Sequence, residues 1–146
     1  MGSTTAISRR TVREALGTQL TTALTSALAV YDFLYSKFDV ESPIVRIVTA
    51  GSNRPPFHSQ GIRSTFYYAV QFWVAYYEDG TPSVQADAED ILDALEHEFV
   101  QWLESNQVSE LWTMVAVDGR SRVETVQTRG SYWILESIPI AVEVYG

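Results

Sequence analysis

Cysteine is missing altogether from the 146 residues, and that single absence removes disulfide scaffolds, zinc–thiolate sites, iron–sulfur clusters and thiol nucleophiles together. Histidine occurs only as His58 and His97. Basic residues are scarce as well: ten Lys and Arg against eighteen Asp and Glu leave a formal charge of −8. A chain whose main task is to coat nucleic acid needs clustered cations, so that class is disfavoured, although a local basic patch stays open. Long hydrophobic runs are also lacking. No stretch reaches the ~18 uninterrupted apolar residues of a membrane span. No GxGxxG occurs, and Gly51 and Gly61 are not followed by a phosphate-loop lysine, so nothing supports phosphate cradling.

Two features imitate targeting signals. Arg9 and Arg10 precede an apolar-leaning segment containing Ala27-Leu28-Ala29, but Glu14, Thr18, Gln19 and Thr22 interrupt it at helical intervals, which fits an amphipathic helix better than a secretory signal. Met1-Gly2 is followed by Ala6 where a myristoylation signal needs Ser or Thr. The expectation is a soluble, unprocessed chain, with residues 1–7 as a loose arm ahead of a single domain spanning 1–146.

What the chain does have is one long aromatic stretch, Ile62 to Glu78, reading IRSTFYYAVQFWVAYYE. Taken alternately, Phe66, Tyr68, Val70, Phe72, Val74 and Tyr76 share one wholly apolar face, and Thr65, Tyr67, Ala69, Gln71, Trp73, Ala75 and Tyr77 share a mixed one. Aromatic and β-branched residues at this density predict a β-strand that bends or overhangs and needs cover from a helix, a second sheet or another copy.

Thr11 and Glu14 have capping-box spacing. They predict a helix starting there, with Val12, Leu16, Leu20, Leu24, Ala27, Leu28 and Tyr31 as its apolar stripe and a threonine-rich opposite face. After Pro43, Ile44 to Val48 predicts a short strand. Thr49 to Gly61 has no periodicity and reads as a loop stiffened by Pro55 and Pro56. Ser83 is the expected cap of a second helix from about Val84 to Glu104, with Ala88, Ile91, Leu92, Leu95, Phe99, Trp102 and Leu103 buried. Seven of the eighteen acids, and no bases, fall between Asp87 and Glu104, a face expected to meet water or a basic partner. Leu111–Val117 and Arg120–Thr128 read as a hairpin turning at Asp118-Gly119. Tyr132 to Tyr145 is a last strand, expected at an edge or carrying a bulge because of Glu136 and Pro139. Together these predict an α+β fold, a mainly antiparallel sheet with two α-helices packed on one face.

No residue set reads as catalytic. His97-Glu98-Phe99-Val100-Gln101 resembles a zinc helix but offers Gln101 where the second imidazole is required. Asp87, Asp90 and Asp93 share a solvated face, which gives no contrast of environment to separate their pKa values for acid–base work. Ser52 lacks a histidine at triad spacing, although His58 lies in the same loop. Tyr67, Tyr68, Trp73, Tyr76 and Tyr77 lack the interleaved bases of a nucleic-acid platform beyond Arg63. The expectation is a non-enzyme with no cofactor and no metal.

The RRxVRExL-like helix start, SPIVRIVTAGSNRP, the long aromatic strand, AEDILDALEHEFVQWL and the terminal strands together resemble the tail-terminator or tail-completion (neck) proteins of long-tailed bacteriophages, over about residues 8–145. The resemblance implies a structural virion protein, made in the bacterial host cytoplasm. Its subunits would form a homohexameric ring that caps the tail tube and joins it to the head-completion or neck protein. It implies no cofactor, no membrane and no sequence-specific nucleic-acid binding, with the ring open for DNA to pass. On that reading Arg54, Pro55, Pro56, Phe57, His58, Trp73 and Tyr77 are the expected contact residues. Phe57 would be an apolar anchor, and Arg54 would pair with an acidic surface such as the Asp87–Glu98 face of another copy. The rival reading is a small ligand-binding or hydrolytic α+β domain whose Tyr- and Trp-lined pocket lies near the 49–61 loop.

Overall fold

The structure is a computed structural model that describes residues 7–34, 42–54, 63–76, 82–128 and 131–145. Its spine is strand β3 (Arg63–Tyr76), whose period-two pattern buries every even position from Ser64 to Tyr76. Rather than overhanging, β3 pairs antiparallel along its whole length with β6 (Ser131–Tyr145), and with β2 (Ile44–Asn53) on its other side. A three-residue strand β1 (Ala29–Tyr31) adds to β2 in parallel. On the far side of β6 lie β4 (Met114–Val117) and β5 (Arg122–Thr128).

Two helices, α1 (Arg9–Ala23) and α2 (Pro82–Ser105), pack on one face of this sheet. Val12, Leu16 and Leu20 meet Val45, Ile47, Phe66, Val70 and Phe72 there, together with Leu95 and Phe99. An aromatic chain, Phe72–Phe99–Trp102–Trp112, runs through this core with ring centroids 5.9–6.2 Å apart. The result is the expected α+β domain, with the β1–β2 pair as its one parallel ladder among the described strands.

Several local expectations are corrected. The first helix is capped by Ser8, whose Oγ accepts from the Thr11 backbone N–H at 3.0 Å, while Glu14 pairs with exposed Arg10. The helix ends at Ala23, so Leu28 is exposed and Tyr31 belongs to β1. The reason is Glu98. Its carboxylate accepts from Ser26 N (3.0 Å), Ser26 Oγ (2.6 Å) and Thr25 Oγ1 (3.2 Å), which holds the chain in a turn instead of letting the helix continue. One acid of the supposed solvated face is therefore turned inward. Hydrogen bonds to a charged acceptor contribute roughly 1.5–3 kcal/mol, so Glu98→Ala is expected to destabilise by about 2 kcal/mol in urea unfolding, and Glu98→Gln by less.

On the threonine-rich face of the helix, Thr18 and Thr21 donate back to the carbonyls of Glu14 and Gly17. Helix α2 starts at Pro82, one residue before the expected cap, because proline's fixed φ and missing N–H suit the first helical position. Ile91 lies off the core and is 37% exposed. The first five residues of the expected 49–61 loop are strand: Thr49 and Gly51–Asn53 pair with β3 across a bulge at Ala50, beside which Gly51 takes φ +151°.

Asp118-Gly119 does not make a hairpin. Strands β4 and β5 both pair with β6, and the four residues between them face only Ile138 and Pro139. Asp118 N donates to Pro139 O at 2.8 Å. A strand residue's N–H and C=O point the same way, so proline's missing donor faces this interruption. The bulge thus lies on the neighbour of β6, and β6 itself is interior. Gly119 supplies the positive φ, +121°, that the excursion needs.

Candidate functional site

Arg9 and Arg13 stand one helical turn apart on α1 and face the paired ends of β2 and β3. Arg9 Nη1 donates to Ser52 Oγ at 3.0 Å, and Arg13 Nη1 to Thr49 Oγ1 at 3.3 Å. Arg54, just past β2, donates to Ser64 Oγ (3.3 Å) and the Ile7 carbonyl (3.5 Å), with its guanidinium 4.9 Å over the Phe66 ring. Tyr68 fixes the helix start to the sheet by donating its hydroxyl to the Arg9 carbonyl at 2.7 Å. Burial pushes that phenol well up from its ordinary value, so it stays a donor.

The ion pairs formed among the described residues are Arg10–Glu14 and Arg63–Glu143. Among the described residues, Arg9, Arg13 and Arg54 hydrogen-bond only to neutral oxygens, and the buried Nε of Arg13 has no hydrogen-bond partner. Beside Arg13 lies a groove of about 280 Å³ formed by Phe33, Leu34, Ile47, Val48 and Thr49. Its described lining includes neither Tyr nor Trp. A tyrosine-lined groove of about 330 Å³, between Tyr76, Tyr132 and Thr125–Gln127, lies at the far end of β3.

Helix α2 carries the opposite charge. Asp87, Glu89, Asp90 and Asp93 are exposed along its first half, as is His97 further on. Glu136 lies near Asp93 and Glu96 of this helix. Its parity puts it on the core face of β6, between Ile134 and Ile138, and only 7% of it is exposed. Burial raises its carboxyl above the ordinary value, a hydrogen bond from Ser121 in the β4–β5 interruption opposes the rise, and the charges of Glu96 and Asp93 add to it. A carboxyl whose folded pKa is raised contributes its stability below its unfolded value, near 4.5, and loses it as pH climbs through the folded value. Glu136→Gln is therefore expected to stabilise at pH 7 by about 1 kcal/mol, the scale of desolvating a partly compensated polar group, with the gain vanishing near pH 4. Paired melts of the two proteins across that range check it.

Of the expected contact residues, Arg54 joins Arg9 and Arg13 in one cluster. Trp73 does not join them. It is 5% exposed, packed edge-on against Trp133 at 6.1 Å in a small second core with Ile44 and Leu135 on the helix-free face. Pro55, Pro56, Phe57, His58 and Tyr77 lie outside the described residues. Sequence reasoning missed Arg9 and Arg13 as site residues, although their i, i+4 spacing at a helix start was a readable signal. Among the described residues no group of three or more His, Asp or Glu side chains is placed to hold a metal ion, and no helix is long and apolar enough to cross a membrane.

No family model matches the chain, and no curated protein matches it significantly. Among solved structures, one whose title names no function is similar at a TM-score of 0.52 and 20% identity, covering 97% of this chain and 99% of its own. At that identity the likeness is one of fold alone.

Proposed function

We propose that this protein is a structural subunit of the tail-terminator or tail-completion type, assembling into a homo-oligomeric ring at the head-proximal end of a long-tailed phage tail and catalysing nothing. Six copies close the ring in this reading. It meets the tail tube protein on one side and the neck protein on the other. The observation that supports it is that the elements on which the sequence resemblance rests are all formed, from the start of α1 to the end of β6, as two helices on one face of a mainly antiparallel sheet built around a single long aromatic strand. Negative-stain imaging of the purified protein, alone and mixed with phage tail tubes, tests it. Closed rings with a central opening, or rings seated on tube ends, are the expected result. Single subunits that also leave tube ends bare would overturn it.

A further inference from the structure

Two patches of opposite charge stand apart along β3. The arginine cluster sits over the first residues of the strand, through Ser64, Phe66 and Tyr68. Asp93 and Glu96 sit near Glu136, which pairs with Phe72. Six residue steps along the strand separate Phe66 from Phe72, roughly 20 Å at ~3.3 Å per residue. That exceeds the ~8–10 Å screening length at ordinary salt, so the two patches cannot neutralise each other within one chain. Among the described residues neither patch makes an ion pair, the arginine–carboxylate pairs formed being Arg10–Glu14 and Arg63–Glu143.

We infer that the two patches are the halves of one seam between copies, with Arg9, Arg13 and Arg54 of one subunit receiving the Asp90–Asp93 face of the next. This rests on the ring reading above and specifies its contact. Two different surfaces meeting make a heterologous contact, the kind that propagates head to tail and closes into a ring when the rotation allows. The chemistry suits carboxylates. Three guanidiniums already hold their neutral contacts in fixed geometry, which lowers the ordering cost of binding a carboxylate. Exposed Phe33 and Leu34, half and two-thirds accessible beside Arg13, supply an apolar rim. Ion pairs confined to exposed rim positions would add little, so specificity and encounter rate are what this seam mainly supplies.

Two charge-reversed proteins test it: Arg9→Glu/Arg54→Glu, and Asp90→Arg/Asp93→Arg. Because Arg54 also touches Ser64 and Phe66, Arg9→Glu alone serves as a control whose only described side-chain bond is to exposed Ser52. Circular dichroism establishes that each is folded. By light scattering each alone should need about tenfold or more higher concentration to assemble than the wild type, since the seam now opposes like charges. Mixed in equal amounts they should assemble together, every junction again joining opposite charges. Rings that form undiminished from either variant would refute the seam while leaving the ring intact. Wild-type protein that never assembles, alone or on tail tubes, would remove the ring reading and the seam with it. A mixture that stops at two subunits would replace the head-to-tail contact by a closed pair. Binding of a short DNA duplex by the wild type, lost in Arg9→Glu/Arg54→Glu while assembly is unchanged, would assign the arginines to phosphate instead.

Discussion

Phe72→Ala is expected to cost about 3–5 kcal/mol, the range for truncating a buried phenylalanine. Its ring is fully buried, 6.1 Å from Phe99 in an edge-to-face contact, on a strand paired on both sides, with Val45 across one ladder and Glu136 across the other. The cavity would open where the sheet meets α2, in a close-packed core that relaxes only partly around it. Against a total stability of ~5–15 kcal/mol for a domain of ordinary size, such a loss brings the unfolding midpoint close to working conditions. A urea titration in which Phe72→Ala unfolds like the wild type would mean that β3 is out of register by one residue, which would turn its two faces over.

Trp73→Ala is expected to be comparably damaging, again about 3–5 kcal/mol, although it points to the opposite face. Its indole packs against Trp133, lies 4.9 Å under the Arg46 guanidinium and donates to Gln71 Oε1 at 3.3 Å. The side chain expected from sequence to meet a partner is thus engaged inside its own chain. Truncation should lower the stability of the dilute subunit, measured where no assembly occurs. Unchanged subunit stability with assembly abolished would return Trp73 to a role between copies.

These neighbours show how far the sequence could be read. The two faces of β3 follow from period-two alternation, and burial of Phe66, Val70, Phe72 and Val74 against Leu16, Leu20, Leu95 and Phe99 is legible from the amphipathic stripes. What a local pattern cannot carry is a partner seventy residues away. The end of α1 is decided by Glu98 reaching back to Ser26, so a stripe that continued to Tyr31 on paper is cut short in space. The dipeptide Asp118-Gly119 has hairpin chemistry, yet β6 offers a longer ladder to both flanking strands, and the turn signal becomes a bulge opposite Pro139. Glu136 was visible as a break in an apolar face. Its cause was not, because an acid on such a face suggests an edge until Ser121 is seen to reach it from the bulge. For the candidate site, Arg54 was legible from its place in a proline-stiffened loop, whereas Arg9 and Arg13 read as ordinary helix-start residues until the ends of β2 and β3 were brought beside them.

Assembly is the central claim, and the mass of the particle in solution tests it most directly. Light scattering over a concentration series, alone and with tail tubes present, should give a species of six times the 16.4 kDa chain mass, with no stable population at two copies. A mass that stays at one chain throughout, with no protein retained on the tubes, would contradict it.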